Sequence, residues 1–317
     1  MRASFRVVTA SAALVRHAWV LAFLLAAISA GALAAAPFKV LVVGLPDDNH
    51  PQTGAAGIKA VQEIAAGQDY TVDAITDITK VNDAFLAPYQ VMVCVMAWPG
   101  DWPKAVQASF EKYIQSGKGW IGFHVSGLVG ISNPEWTWYQ DWLGGVSFKG
   151  HPATRQNGNV KVEAAATADA ALAGIPAQFS IHEEWYAWTK SPRGAPDIKI
   201  LAAVDEGTYD PGGSAMGKDH PVMWSNGKYG PMIYTSLGHE PEAFANANVR
   251  KFLANAIPWA AKATPAAARP TLGRPVPRET PVLRWEGGRL SLVFAGGARG
   301  ACDARGRAFS ASFPPVR

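Results

Sequence analysis

The sequence predicts an α/β fold built on a doubly wound parallel sheet. Continuous apolar segments such as residues 38–44 and 91–97 end in glycine or in loop residues, and segments with helical spacing of apolar residues alternate with them. A chain of 317 residues with 49% hydrophobic content can bury a large core. Strands that alternate with helices are joined by right-handed crossovers, and their uninterrupted apolar character indicates a sheet covered on both faces.

The first half of the chain supplies four strands and two helices of this pattern. Apolar residues recur at helical spacing in residues 54–66, and the next helix follows an Asp-Trp-Pro start and stops at Gly117. The predicted strands are residues 38–44, 70–75, 91–97 and 120–124, and the predicted helices are residues 54–66 and 101–117.

The pattern changes after residue 133. Residues 134–142 begin at a proline, stop at a glycine pair and predict a short aromatic helix, and residues 146–162 read as an excursion rather than a simple crossover. These inserted segments are rich in tryptophan. They are followed by a strand at 199–205, a hairpin formed by 218–224 and 232–237, and a final helix at 245–259.

The two ends of the chain have different compositions. Residues 1–34 have a basic start, an apolar run and the small residues Ala32-Leu33-Ala34, which predicts a cleaved secretory signal peptide and an exported, periplasmic or extracellular protein. The alternative is an uncleaved anchor, since the run is just long enough to span a bilayer. A domain at 37–260 is followed by a Pro/Ala/Arg linker at 261–281 and a tail at 282–317, which contains a possible hairpin and is otherwise expected to be flexible.

Charge excludes one class of partner. The total formal charge is +4, but the first 36 residues carry three arginines and no acid, and residues 261–317 carry ten basic residues against three acids. Residues 37–260 therefore have a formal charge of −6. This region has no basic footprint for nucleic acid. The two cysteines offer neither a disulfide framework nor a thiolate metal site, and after signal cleavage no stable membrane insertion is expected.

The strand before His124 is the most informative segment for function. Its exit into a glycine-containing loop predicts a sharp turn that presents His124 at the carboxyl end of the strand, where ligands of open α/β sheets bind. A nucleophile elbow would have serine or cysteine there. Ser126 lies two residues later, which does not place it in the elbow, so ordinary acyl-enzyme chemistry is not expected at this turn.

Three histidines are expected to meet at this edge of the sheet. His50, His124 and His239 each follow a strand, and the three strands run in one direction. Imidazole suits proton transfer near neutral pH, and in its neutral form it suits metal ligation. Both readings stay open, so a divalent metal is a possible cofactor, although no closely spaced His-Glu-x-x-His pattern is present. The alternative for each histidine is an ordinary hydrogen-bonded loop or core residue.

Carboxylates and aromatic residues complete the candidate site. Adjacent residues of an extended segment point to opposite faces, so we expect only one of Glu183 and Glu184 to enter the cleft and choose Glu184 as the acid/base partner; the alternative is that both are solvated. Tryptophan faces suit sugar rings, although large aromatics most often fill the core. Gly44 has no G-x-G-x-x-G continuation, so no nucleotide is expected.

Several motifs in one order resemble the ThuA-like (trehalose-utilisation) family over about residues 38–260. They are Gly122-Phe-His124, Trp138-Tyr-x-x-Trp-Leu-Gly-Gly-x-x-Phe148-x-x-His151-Pro, Glu183-Glu-Trp-Tyr186, Pro192-Arg193, Asp219-His-Pro-Val-x-Trp224, Tyr234-Thr-Ser-Leu-Gly-His239 and Ile257-Pro-Trp. Two positions depart from the pattern: Glu183 stands where the family usually has Asp, and Pro231 stands where a Gly-Arg pair is common.

The resemblance implies a flavodoxin-like sheet related to the class I glutamine amidotransferases. Those enzymes carry cysteine at the elbow, and here that position matches His124, so glutaminase activity is not expected. The resemblance also implies carbohydrate metabolism, with a sugar or keto-glycoside as the small-molecule partner and a hydrolase, lyase or isomerase reaction. We expect His124, Glu184 and His239 to be catalytic. The expected substrate-binding residues are His50, Trp138, Tyr139, His151, Tyr186 and His220.

Two hypotheses remain at this stage. The first is an exported enzyme in which these histidines and Glu184 carry out acid/base chemistry, with or without a metal. The second is a non-catalytic carbohydrate-binding protein that has kept the cleft and lost amidotransferase chemistry. The first depends on the histidines and the second on the aromatic residues, so variants of the two groups discriminate between them.

Overall fold

A computed structural model describes residues 38–132 and 135–262, together with three strands between residues 282 and 300. The signal peptide predicted at residues 1–34 lies outside the described residues, as do most of the predicted linker and the end of the predicted tail. Within the described ranges, no helix is long and apolar enough to cross a membrane.

The main unit is a nine-stranded sheet in the order β2-β1-β3-β4-β11-β10-β9-β6-β7. The strands are β1 (Phe38–Gly44), β2 (Tyr70–Ile75), β3 (Val91–Val95), β4 (Gly119–Phe123), β6 (Gln156–Val162), β7 (Gln178–Glu183), β9 (Ile198–Asp205), β10 (Pro221–Asn226) and β11 (Met232–Thr235). A separate pair joins β5 (Phe148–Gly150) and β8 (Ala187–Trp188). The helices are α1 (Thr53–Ala65), α2 (Asp83–Leu86), α3 (Lys104–Gln115), α4 (Thr137–Trp142) and α5 (Ala247–Ala261).

The parallel half of the sheet confirms the fold class. Strands β2, β1, β3, β4 and β11 all pair in parallel. Strands β3 and β4 are buried along their whole length, because helices cover both of their faces. The flavodoxin-like, class I glutamine amidotransferase-like sheet expected from the sequence is therefore present.

The other half of the sheet is antiparallel. Strand β10 pairs with β11 as the predicted hairpin, and β9, β6 and β7 extend the sheet from it. The region read as an excursion, residues 146–162, thus supplies β6 of this sheet and β5 of the separate pair. Their sequences, such as Gln156-Asn-Gly-Asn-Val-Lys-Val162, have few apolar residues, so their hydrophobic pattern did not reveal them.

Helix boundaries differ from the prediction at the start of α3. We expected Asp101 to cap this helix, but the helix begins at Lys104 and Pro103 occupies the cap position without a side-chain cap bond. Asp101 lies instead in a short 3₁₀ turn. The proline accounts for the shift, because its fixed φ and missing N–H suit the first positions of a helix.

Alternate residues of the parallel strands form two cores. Val40 and Val42 of β1 pack with Val61 of α1 and Phe252 of α5. Leu41 and Val43, which alternate with them along β1 and point to the other face of the sheet, belong to a second core that contains Phe110 of α3 and the aromatic residues of α4. This alternation follows from the two-residue period of a strand. It leaves the carboxyl ends of β1, β4 and β11 as the edge where loops gather.

The C-terminal unit is described by itself. Strand β12 (Val282–Glu286) pairs antiparallel with β13 (Arg289–Val293), and β13 pairs with β14 (Arg299–Gly300). The first pair coincides with the alternating sequence pattern on either side of Gly287-Gly288.

Candidate active site at the carboxyl edge of the sheet

His124 occupies a strained turn directly after β4. Its φ is +48°, in the left-handed region that residues other than glycine seldom adopt, and its side chain is fully buried. Such a conformation costs on the order of 1–3 kcal/mol and persists only when its surroundings hold it. Here the Tyr234 hydroxyl donates to the His124 carbonyl at 2.9 Å. The strained turn expected from the sequence is therefore present, and a side chain from the neighbouring strand fixes it.

The structure brings the three strand-end histidines together. His50 lies in the loop after β1, and His239 follows β11. His239 Nδ1 is 3.1 Å from His50 Nε2 and 3.1 Å from His124 Nε2. The convergence arises because β1, β4 and β11 are parallel, so their carboxyl ends share one edge.

Glu184 completes the group. Its Oε2 atom is 3.4 Å from His124 Nε2 and 3.3 Å from His239 Nδ1. Each of the four residues contributes one imidazole nitrogen or carboxylate oxygen, and these four atoms all lie within 4.8 Å of one another. We refer to His50, His124, Glu184 and His239 as the histidine–glutamate cluster.

Hydrogen bonds outside the cluster fix two of the imidazole rings. His50 Nδ1 is 2.7 Å from Asp47 Oδ1, and His124 Nδ1 is 2.9 Å from the Ser236 carbonyl. Both partners are acceptors, so each Nδ1 carries the proton. The Nε2 lone pairs of His50 and His124 therefore face the centre of the cluster.

Burial sets the charge of the cluster. Desolvation lowers the pKa of His124 to about 4, although the neighbouring Glu184 carboxylate and the Ser236 carbonyl, which accepts from Nδ1–H, raise it. Burial by itself would raise the pKa of Glu184, but the neighbouring imidazoles of His124 and His239 outweigh it and hold that pKa well below its usual value. At neutral pH the site thus contains a neutral His124 beside an ionised Glu184.

Glu183 was not among the predicted site residues, yet it positions His239. Its carboxylate is fully buried and accepts from the backbone N–H groups of Gly238 at 2.7 Å and His239 at 3.2 Å. Desolvation raises the pKa of Glu183 to about 7, although these backbone bonds oppose the shift. On the other side of His239, the Thr53 hydroxyl donates to its carbonyl at 3.0 Å.

Adjacent residues of a strand point to opposite faces, but this explains the positions of Glu183 and Glu184 only in part. Strand β7 ends at Glu183, so Glu184 lies beyond the last residue of the strand and is free to turn toward the histidine rings. Glu184 enters the site as expected, and Glu183 is buried beneath the His239 backbone. The alternative in which both carboxylates are solvated is wrong.

Arg155 is a second residue that the sequence did not single out. Its Nη1 atom lies 3.0 Å from His239 Nε2, and its Nε pairs with Glu240 Oε1 at 2.7 Å. A guanidinium can only donate, so in this arrangement His239 Nε2 accepts and its proton lies on Nδ1. Arg155 directly precedes β6, and the sequence pattern did not predict that strand. For this reason no sequence signal placed Arg155 near the sheet edge.

Three of the predicted substrate-binding residues lie at or behind the cluster. His151 Nδ1 is 3.3 Å from Glu184 Oε1 and its side chain is 39% exposed, which places it at the entrance. The Tyr186 ring packs on His124 with centroids 4.2 Å apart. His220 is buried behind them, where its Nε2 donates to the Tyr186 carbonyl at 2.8 Å, so it supports Tyr186.

The structure does not bring Trp138 and Tyr139 to the cluster. The Trp138 ring stacks on Tyr229, which precedes β11, whereas His239 follows that strand. Tyr139 is buried, and its hydroxyl donates to the Ser126 carbonyl at 2.7 Å, behind the elbow. The inserted aromatic residues bury each other and Phe110, which is the core-filling alternative.

Neither Cys94 nor Ser126, the serine near the elbow, is arranged as a nucleophile. The Cys94 thiol is buried, which raises its pKa to about 12, and it accepts from Trp120 Nε1 at 3.3 Å. The Ser126 hydroxyl is buried and donates to the Cys94 carbonyl at 3.2 Å. The chemistry of this edge therefore lies in imidazole and carboxylate groups.

The fold and this edge define a class of protein: an α/β protein with a flavodoxin-like parallel sheet and histidine at the turn after its fourth strand. Within that class, the chain belongs to the ThuA (trehalose utilisation) family, whose family model matches residues 39–260. No curated protein matches the chain significantly.

The chain is also similar to solved structures. A ThuA-like protein from Bacteroides uniformis is 29% identical, with a TM-score of 0.64 over 73% of this chain and 94% of that chain. A ThuA-like protein from Parabacteroides merdae is 17% identical, with a TM-score of 0.55 over 71% of this chain and 90% of that chain. The glutaminase domain of a Trypanosoma brucei CTPS also matches, at 11% identity and a TM-score of 0.41 over 69% of this chain and 93% of that chain.

Proposed function

We propose that this protein is an exported enzyme of carbohydrate metabolism that acts on a sugar or keto-glycoside by acid/base chemistry. The observation that carries the proposal is the histidine–glutamate cluster, in which residues from distant parts of the chain meet at the ligand-binding edge of an α/β sheet. The ThuA family description, trehalose utilisation, supports a carbohydrate as the substrate class. The amino-terminal sequence supports export.

The protonation states within the cluster suit proton transfer next to a carbonyl. The Glu184 side chain is 13% exposed, so a ligand at the entrance can reach its carboxylate as a proton acceptor, and a ligand that draws the His239 N–H away from it would strengthen it as a base. The N–H of His239 and the half-exposed His151 lie beside it as donors to a developing oxyanion. This division between base and oxyanion stabiliser is what elimination from, or isomerisation of, a keto sugar requires.

Glutaminase activity does not fit this arrangement. Acyl transfer needs a nucleophile beside its base, and the elbow presents an imidazole instead. Release of ammonia from glutamine by the purified protein would contradict this conclusion.

The test is turnover of disaccharides and their keto derivatives, followed by chromatography of the products. We expect Glu184→Gln to lower kcat by about 10²–10⁴-fold, the usual contribution of a general acid or base. The double variant His124→Ala with His239→Ala should abolish turnover, whereas Glu242→Gln, at an exposed position, should leave kcat unchanged.

Two outcomes would overturn the proposal. Unchanged turnover in the double histidine variant would remove the cluster from catalysis. Sugar binding by calorimetry that persists in Glu184→Gln and His239→Ala, with no turnover by the unaltered protein, would instead identify a carbohydrate-binding protein.

A further inference from the structure

We propose that the histidine–glutamate cluster is a mononuclear site for a divalent transition-metal ion. The ligand atoms are His50 Nε2, His124 Nε2, His239 Nδ1 and Glu184 Oε2. This proposal deepens the proposed function: in the loaded protein the ion, rather than the N–H of His239, would stabilise an oxyanion, and Glu184 Oε1, which faces His151, would remain the proton acceptor. Metal binding can also be measured without any substrate.

The spacing of the four atoms matches a coordination sphere. A tetrahedral ion with metal–ligand distances of about 2.0–2.1 Å has its ligand atoms about 3.3 Å apart. The two histidine pairs are 3.1 Å apart, and the two histidine–glutamate pairs are 3.3 and 3.4 Å apart. The His50–His124 and His50–Glu184 pairs lie within 4.8 Å, so the four atoms surround a space of the size of one ion.

The protons of the cluster point to the same conclusion. The Asp47 carboxylate and the Ser236 carbonyl hold the protons of His50 and His124 on Nδ1, so two imidazole lone pairs and one carboxylate converge. His239 Nδ1 carries at most one proton and can donate to only one of these three acceptors. The lone pairs of His50 and His124 and the carboxylate of Glu184 therefore face one another with too few N–H donors between them. A bound cation would stabilise this arrangement.

The surrounding contacts are those of a prepared metal site. Histidine ligands of metals usually donate their second ring N–H to a carboxylate or a backbone carbonyl, which orients the ring. His50 has Asp47 in this role and His124 has Ser236. His239 is held through its backbone by Glu183 and Thr53.

Loading of an ion changes the partner of His239. With Nδ1 bound to the ion, the ring proton moves through solvent to Nε2, where Arg155 now donates. Arg155 has a side chain that is 46% exposed, so it can swing away. The Glu240 carboxylate, 3.8 Å from Nε2, is then placed to accept the ring N–H.

The donor set selects the class of ion. Three imidazoles and one carboxylate favour zinc, iron, manganese, cobalt or nickel over calcium and magnesium, which prefer oxygen ligands. The Glu184 side chain reaches the surface at the entrance beside His151, so a water molecule or a substrate oxygen can take a further position on the ion. Such an oxygen would be a fifth ligand, added to the four protein ligands.

The experiment is Zn²⁺ titration of the full chain after dialysis against a chelator, with metal analysis of the protein as purified and Co²⁺ absorption as a spectroscopic readout. We expect one ion per chain. His50→Ala and Glu184→Gln should lose stoichiometric binding, and Asp47→Asn, which keeps the carboxamide oxygen near His50, should weaken binding by about 10–100-fold. His182→Ala is the matched control, because His182 is exposed on the neighbouring strand.

Circular dichroism and thermal unfolding show whether each variant is folded. Absence of stoichiometric Zn²⁺ and Co²⁺ binding by the unaltered protein would overturn the proposal. Equal affinities in the unaltered protein, folded His50→Ala and folded Asp47→Asn would also overturn it. Loss of sugar turnover in Glu184→Gln with normal metal binding would contradict the metal site and leave the proposed enzyme function intact.

Discussion

At the scale of single residues, the backbone of the site is fixed by side chains that do not take part in the expected chemistry. Tyr234 and Tyr139 hold the elbow around His124, and His220 holds Tyr186. Glu183 is the most deeply placed of these groups, since it is a fully buried carboxylate against two backbone N–H groups. Leaving such donors unsatisfied costs more than an ordinary hydrogen bond contributes.

Glu183→Gln is the substitution that tests this role. Glutamine keeps one carbonyl oxygen but turns an NH₂ group toward the second backbone N–H, so we expect a loss of about 1–3 kcal/mol in the free energy of unfolding. Because His239 shifts with its backbone, Zn²⁺ affinity and kcat should fall as well. Urea unfolding, metal titration and turnover measure the three effects.

Two further variants separate positioning from general destabilisation. Glu183→Asp keeps the carboxylate and should recover most of the metal affinity, whereas Glu242→Gln, in the exposed segment after His239, should change none of the three quantities. A Glu183→Gln variant with normal metal affinity would show that these hydrogen bonds do not position His239.

The residue-scale prediction from sequence succeeded where a strand end defines a position. His50, His124 and His239 could be placed at one edge because each lies in the loop or turn at the carboxyl end of a parallel strand. Asp47, Glu183 and Arg155 could not be assigned, because their roles depend on which loop lies opposite them, and periodicity carries no such information. Trp138 illustrates the reverse error, since its chemistry suits sugars but its ring stacks on Tyr229.

At the scale of elements, the sheet joins a parallel half that the sequence describes well to an antiparallel half that it describes poorly. The parallel strands are continuous apolar runs, and that pattern is distinctive. Strand β6 is largely polar and β7 contains only two apolar residues, Phe179 and Ile181, so neither strand has a strong hydrophobic pattern. Arg155 precedes β6, and Glu183 and Glu184 lie at the end of β7. Half of the site therefore depends on strands that the hydrophobic pattern of the sequence does not predict.

The junction between β1 and α1 has no room for a side chain at Gly44. A Cβ atom there would lie 2.5 Å from the Gly54 carbonyl oxygen and 2.7 Å from the Ile58 side chain. This close approach lets the loop that carries His50 return across the end of β1. The element therefore requires glycine for packing rather than for an unusual φ.

Gly44→Ala should destabilise the protein by about 1–3 kcal/mol, the usual cost of overpacking. Gly67→Ala is the matched control, because a Cβ atom there would meet nothing within 4 Å. Urea unfolding of both variants measures the difference. Equal stability of the two variants would mean that the β1–α1 junction can relax at little cost.

At the scale of the whole molecule, the chain divides into a unit ending at residue 266 and a second unit from residue 267 onward. The nine-stranded sheet and both hydrophobic cores lie within residues 38–262. The four cluster residues lie there too. The stability of the site should therefore be independent of the C-terminal unit.

Truncation after Lys262 tests this independence. We expect the truncated protein to unfold within about 2 °C of the full chain, since for a domain of this size 1 kcal/mol corresponds to about 2–4 °C. Differential scanning calorimetry gives the midpoint, and Zn²⁺ titration compares the site in the two proteins. A larger fall in the midpoint, or weaker metal binding, would reveal a contribution from the residues removed.

The pairing of β4 with β11 has a consequence for how the molecule is made. These neighbours are separated by about a hundred residues, so β4 keeps an open edge until synthesis has passed residue 235. A partly synthesised chain therefore presents an unpaired central strand, a state prone to aggregation and in need of protection. His50 and His239, 189 positions apart, can meet only when this strand is in place. Metal binding at the cluster would then distinguish chains synthesised through His239 from shorter ones, because no shorter chain contains all four residues.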